Sequence, residues 1–255
     1  MTHQLTPIVL VTFGTTVTKA REVYTYIEQR IRIDYPHHLI SWGFTSRIVR
    51  ERLQKKGIET ATPEMAIESL KNQGWQHAVI QSLHVVPGQE FTKLQQTNFP
   101  NMKVAFGQPL LSNDEDIDGV ISELEREFLP HVSNVIVCHG NKRHYHFNDQ
   151  NTKLALKLKE KYNNVFVVNV EGDVPETALS NVKMTSKHVH FIPLMMVAGD
   201  HILNDVLGDE PDSWKNQLGA TSCTCSDPLG FNDGIITIFL DHLAQALQQQ
   251  HKENP

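Results

Sequence analysis

Seven segments of strand length, Ile8–Phe13, Leu39–Phe44, His77–Val85, Lys103–Phe106, Asn134–His139, Val165–Val170 and His188–Val197, are dominated by apolar runs. A strand with one wet face alternates apolar and polar residues, whereas a continuous run suits a parallel strand covered by helices on both faces. The segments between carry a different period. Val23, Ile27 and Ile31 recur at i+4 spacing within Thr18–Ile33. Ile235, Ile236, Phe239, Leu240, Leu243 and Leu247 lie along one face of Asp233–Gln249. Strand followed by helix, repeated, predicts an α/β fold with right-handed crossovers.

The two halves resemble each other. Val79–Glu90 aligns without a gap on His190–His201, sharing an apolar strand, a glycine and a closing polar residue, and Val11–Gly14 aligns on Val137–Gly140. Two βα repeats of roughly 120 residues explain this. The expected architecture is therefore two similar lobes, each a parallel β-sheet flanked by helices. Residues 1–129 make the N-terminal lobe, with the boundary near Pro130 after the acid-rich helix Asp114–Phe128. Residues 130–232 make the second lobe. Residues 233–255 form a last helix with no strand after it, expected to pack back on the N-terminal lobe.

A chain of 255 residues with 40% hydrophobic and 20% charged side chains buries a core without disulfides or structural metal. Its formal charge of -6 argues against nucleic-acid binding, which needs a basic surface. No apolar run reaches the length of about 18 residues that a membrane-spanning helix requires. The start at Met1 lacks the basic region of a secretory signal. Three cysteines, Cys138, Cys223 and Cys225, fit a reducing compartment better than a disulfide framework. These features predict a cytoplasmic protein. Fourteen histidines is a high number, and imidazole is both a common metal ligand and a proton carrier near neutral pH.

In parallel sheets, ligands bind beyond the carboxyl ends of the strands. His139, followed by Gly140, ends one strand, and Glu171, followed by Gly172, ends the next. His201 follows the turn after a third, and Glu90 holds the equivalent position in the first half. A lone histidine after a strand is commonly a satisfied structural residue, and a lone glutamate is commonly solvated. Two imidazoles and a carboxylate from three successive strand ends can instead converge on one cation with positions open for a substrate. Arg47 lies close to another strand end, and its guanidinium suits carboxylates. Lys142, Arg143, His144 and His146 belong to a basic, aromatic loop, either a cover for a flat anionic ligand or an ordinary polar loop. Cys223-Thr224-Cys225 reads as alternation in a late strand, since no second cysteine pair accompanies it. Phe13-Gly14-Thr15-Thr16 lacks both GxGxxG and the P-loop lysine, so no nucleotide is expected.

Several strings are more specific. Val11-Thr12-Phe13-Gly14-Thr15-Thr16, Phe44-Thr45-Ser46-Arg47 and Ile80-Gln81-Ser82-Leu83-His84-Val85-Val86-Pro87-Gly88-Gln89-Glu90-Phe91 stand in the first half. His139-Gly140, Val170-Glu171-Gly172, Pro193-Leu194-Met195-Met196-Val197-Ala198-Gly199-Asp200-His201-Ile202-Leu203-Asn204-Asp205 and Asp212-Ser213-Trp214-Lys215 stand in the second. Together they resemble the anaerobic-type sirohydrochlorin cobaltochelatases, a family related to the class II ferrochelatases.

That resemblance implies two α/β lobes with a tetrapyrrole cleft between them. It implies ATP-independent insertion of Co²⁺ into sirohydrochlorin in the anaerobic cobalamin pathway, with Fe²⁺ or Ni²⁺ as alternative metals. Carried over by position, His139, Glu171 and His201 become the metal-binding residues and Glu90 an acidic residue of the first lobe facing the cleft. His139, His201 and Glu90 then share the proton chemistry, with His139 the first choice of acceptor. Arg47, Lys142 and Arg143 become anchors for the tetrapyrrole carboxylates. Two readings of other classes stay open here: a non-catalytic haem or metal carrier, and a two-lobed small-molecule receptor. The sequence leaves open whether the chain forms a homo-oligomer.

Overall fold

Ile8, Val9, Leu10 and Val11 are completely buried, the condition their unbroken apolar run demands. In the computed structural model, which describes residues 5–172 and 174–252, they form β1 (Ile8–Thr12). β1 lies between β2 (Ile40–Phe44) and β3 (His77–Ser82), and β4 (Lys103–Gly107) pairs with the far edge of β3. All three pairings are parallel. The second sheet repeats the plan. β5 (Ser133–Gly140) lies between β6 (Val165–Glu171) and β7 (His188–Pro193), with β8 (Ser222–Cys225) at the edge beside β7. Its pairings are also parallel. β3 and β7, the strands matched by the sequence repeat, take the same place in their sheets.

Eight α-helices accompany the strands among the described residues: α1 (Glu22–Asp34), α2 (Arg47–Gln54), α3 (Pro63–Asn72), α4 (Gln89–Gln96), α5 (Asp114–Leu124), α6 (Asp149–Lys161), α7 (Trp214–Gln217) and α8 (Asp233–Lys252). In the first core, Val9, Val11, Ala78 and Ile80 pack with Ala66, Ile67 and Leu70 of α3 and Phe91 and Leu94 of α4. In the second, Val135, Val137, Val189 and Phe191 pack with Ile202, Val206 and Trp214. Burying each Val, Leu, Ile or Phe side chain of these cores contributes about 1.5–3 kcal/mol.

The chain divides into two compact units, the first comprising residues up to Leu110 together with those from Asp233 onward, the second Leu111–Asn232. The division thus comes earlier than the expected boundary at Pro130, and α5 belongs to the second unit. A ladder of ion pairs runs along α5, its terminal turn and α6, all within the second unit. Lys153, Lys157 and Lys161 meet Asp114, Asp118 and Glu125 at 3.3, 2.5 and 2.6 Å. Another face of α5 buries Ile117, Val120, Ile121 and Leu124. α8 packs on β3 and β4 of the first unit. Its first residue, Asp233, accepts hydrogen bonds from Tyr26 Oη at 3.0 Å and Arg30 Nε at 2.9 Å.

Two strands end sooner than their apolar runs suggest. β3 stops at Ser82 rather than Val85, and β7 at Pro193 rather than Val197. The next amides, of Leu83 and Leu194, still reach the carbonyls of Val11 and Val137 before the chain leaves each sheet. Leu194 and Met196 stay buried outside the strand, so apolarity there reports burial and not extension. No helix among the described residues is long and apolar enough to cross a membrane.

Candidate metal centre at the strand ends of the second unit

His139 and His201 arrive from different elements and meet. Their ring centroids are 4.8 Å apart, with the planes nearly perpendicular at 85°. His139 is the penultimate residue of β5. β5 is buried on both faces as far as Cys138, and His139 is exposed because it lies just beyond that covered stretch, at the carboxyl end of the strand. Burial pushes the Cys138 thiol well above its ordinary range, so this sulfur stays protonated and inert. His201 opens a π-helical turn, His201–Val206, in which Leu207 N donates to Ile202 O, five residues back, at 3.1 Å. Ile202 and Val206 are buried in the second core and hold the turn in place.

The hydrogen bonds of the two rings define their tautomers. His139 Nδ1 lies 2.8 Å from the carbonyl oxygen of Gly140, and His201 Nδ1 lies 2.6 Å from Asp205 Oδ2. A carbonyl and a carboxylate can only accept, so each Nδ1 carries the hydrogen. Each neutral ring then has its lone pair on Nε2.

Glu171, the last residue of β6, is in register with Gly140. Its Oε1 accepts a hydrogen bond from Lys142 Nζ at 2.9 Å. That bond is the main reason its carboxyl is held below the usual range. Partial burial opposes the shift, and the charges of Lys142, His139 and His201 add to it. The carboxylate therefore lies within electrostatic reach of both imidazoles, yet it is engaged by Lys142. Among the described residues, no three His, Cys, Asp or Glu side chains are gathered at metal-binding separation. A cavity of about 490 Å³ opens beside this group, lined in part by Lys142, Glu171, Gly172, His201, Asp205 and Trp214.

The backbone beneath is tightly specified. Gly140 and Gly172 have φ of 73° and 74°, a region that side chains with a Cβ rarely adopt. A Cβ on Gly140 would overlap the Glu171 carbonyl oxygen, and one on Gly172 would overlap that of Asn141. Asn148, almost fully buried, donates to the carbonyls of Asn141 at 3.1 Å and Gly172 at 2.9 Å, tying the loops after β5 and β6 together. Asn141 Oδ1 accepts from the amides of Arg143 and His144, which shapes the loop bearing Lys142.

The other expected site residues are placed as follows. Lys142 and Arg143 are exposed on that loop, as are His144 and His146. Arg47 is the first residue of α2, with its side chain 80% exposed and its Nε 3.6 Å from Glu51. Glu90 lies in the first turn of α4 and pairs with Lys93 at 2.9 Å. Cys223 and Cys225 lie on β8 opposite Val189 and Phe191 and pack against the second core. Burial, with the charges of Cys223 and Asp227, pushes the Cys225 thiol up to about 11.

With this geometry in hand, comparison with known proteins is decisive. The profile of the family described as cobalt chelatase (CbiK) matches residues 6–248. The chain belongs to that family. It is 30% identical to the sirohydrochlorin cobaltochelatase of Salmonella typhimurium, over 96% of this chain and 98% of that one. It is 26% identical to the sirohydrochlorin cobaltochelatase CbiKC of Nitratidesulfovibrio vulgaris, over 94% of this chain and 90% of that one. The fold matches the structure of SirB from Bacillus subtilis with Fe³⁺ at a TM-score of 0.64 and 14% identity, covering 97% of this chain and 98% of that one. It matches CbiX, described as the terminal enzyme of sirohaem biosynthesis in denitrifying bacteria, at 0.59 and 13%, covering 94% and 99%.

In this cobalt chelatase family member, two residues of the site escape a reading of the sequence: Asp205 beside His201, and Asn148, which ties the loops after β5 and β6. Asp205 was visible at i+4 from His201, the spacing that brings side chains together on a helical turn. Asn148 carried no signal, because a buried asparagine in an apolar-poor loop looks like any surface polar residue.

Proposed function

We propose that this chain inserts Co²⁺ into sirohydrochlorin without ATP, as a cytoplasmic enzyme. The observation that supports this best is the meeting of His139 and His201, both with Nε2 left as a lone-pair donor. Insertion exchanges one divalent cation for two pyrrole N–H protons, so charge balances without redox chemistry. The protein has to hold the cation at one face of the ring and offer bases for the two protons.

In this reading His139, Glu171 and His201 hold the incoming metal through nitrogen and oxygen donors of borderline softness, firm enough to position it and weak enough to release it. A coordinated nitrogen cannot take a proton, so one histidine has to leave the metal. We assign that role to His139, whose Nδ1 is backed only by a neutral carbonyl. Glu90 shares in proton handling. Arg47, Lys142 and Arg143 supply positive charge for the substrate's carboxylates.

The test is an anaerobic absorbance assay with sirohydrochlorin and Co²⁺, run beside Fe²⁺, Ni²⁺ and a protoporphyrin control. Multiple turnovers to the cobalt product are expected, with the relative rates ranking the metals. A spectral change that stops at one equivalent would replace the enzyme with a carrier.

A further inference from the structure

His201 differs from His139 in what stands behind it. Asp205 lies one helical turn on, and its Oδ2 is 2.6 Å from His201 Nδ1, a short, charge-assisted contact. Both residues lie on the π-helical turn that Ile202 and Val206 anchor in the core, so the carboxylate and the imidazole ride on one rigid segment. Lys142, which lines the same cavity as Asp205, is engaged with Glu171. We propose that Asp205 is a positioning residue for His201. It fixes the Nδ1–H tautomer and the ring orientation, and it strengthens Nε2 as a donor to the divalent cation.

The physical case is general. A metal-bound imidazole is oriented by the acceptor on its second nitrogen, and a carboxylate there raises the basicity of the coordinating nitrogen more than a neutral carbonyl does. The contact at His201 is therefore what makes it the retained ligand, while His139, backed by Gly140 O, is the more readily released. This inference rests on the chelatase reading for the identity of the cation, but its test does not require turnover.

The experiment uses the full chain and Co²⁺ alone. Imidazole ¹⁵N resonances of the metal-free protein, recorded where the rings are neutral, should report His201 as the Nδ1–H tautomer. In Asp205→Asn the new amide can donate to Nδ1, and the Nε2–H tautomer should appear. The Kd for Co²⁺ should rise roughly 10–100-fold, with the thermal unfolding midpoint unchanged because an exposed i,i+4 pair contributes little to stability. In a His201→Ala background, the same Asp205→Asn change should have no further effect on Co²⁺ binding. An unaltered tautomer with Co²⁺ affinity within about threefold of wild type would overturn the proposal. So would a further loss in the His201→Ala background, which would mean that Asp205 acts independently of the imidazole. If the wild-type protein fails to make the cobalt tetrapyrrole, the chelatase reading falls while these two readouts still decide the role of Asp205.

Discussion

Lys142 Nζ stands 2.9 Å from Glu171 Oε1, so the carboxylate expected to meet a cation is instead occupied by an ammonium on the neighbouring loop. The pair is exposed, at 61% for Lys142 and 32% for Glu171. A bond of this kind is worth up to about 1 kcal/mol and yields readily to a stronger partner. Lys142 is thus a weak competitor for the metal.

Removing that competitor has a direct consequence. Lys142→Met should tighten Co²⁺ binding to the free protein by up to about fivefold, the factor that roughly 1 kcal/mol represents. It should also raise KM for sirohydrochlorin, since a cation for its carboxylates is lost. Calorimetric titration with Co²⁺ tests the first half, and steady-state kinetics the second. Weaker Co²⁺ binding in the variant would show that the ammonium assists the cation rather than competing with it.

His139→Ala removes one of the two Nε2 donors from an exposed position at the end of β5. Insertion should fall at least about 100-fold, the lower range for loss of a general base. Stability should barely move, because surface substitutions away from buried features typically stay within about 0.5 kcal/mol. Comparing turnover with the thermal melt separates the two effects. A variant that inserts cobalt at the wild-type rate would remove His139 from the mechanism.

How much of this was readable beforehand follows from locality. His139 and Glu171 could be picked out as candidates because neighbouring parallel strands bring their terminal residues side by side, and His201 because it follows the turn after a third strand. The doubling of the sheet was legible for a similar reason: the segments Val79–Glu90 and His190–His201 match without a gap, and they became β3 and β7 with the turns that follow. What escaped depends on pairing over distance. The acids of α5 and its terminal turn meet lysines 36 to 39 residues later. Periodicity within α5 carries no trace of that. The engagement of Glu171 by Lys142 spans 29 residues and is equally silent in sequence.

Gly140 offers a test of the scaffold rather than the chemistry. With φ at 73° and the Glu171 carbonyl oxygen where a Cβ would be, Gly140→Ala strains the backbone and displaces the end of β6. A loss of about 2–3 kcal/mol in unfolding free energy is expected from this combination. Co²⁺ binding should weaken as well, because His139 and Glu171 flank the displaced peptide. Denaturant unfolding checks the first effect. A loss smaller than about 0.5 kcal/mol would mean that the loop relaxes without cost.

His84 should give the fold a defined sensitivity to acid. Its Nδ1 is 2.8 Å from Ser82 Oγ, and its Nε2 is shielded from solvent. Burial lowers its pKa to about 4, with the charge of Glu90 opposing the shift. An unfolded histidine titrates near 6.5, so between these values the unfolded chain binds the proton and the folded one does not. Stability is therefore fully present above about pH 6.5 and is lost as the pH falls toward 4. The shift corresponds to about 3 kcal/mol across that window. Burial lowers His77 and His190 as well, so they contribute in the same direction. The diagnostic quantity is consequently the difference between wild type and His84→Gln. Unfolding free energies measured from pH 7 to pH 4 should fall less steeply in the variant. Parallel curves for the two proteins would show that His84 is protonated in the folded state as easily as in the unfolded one.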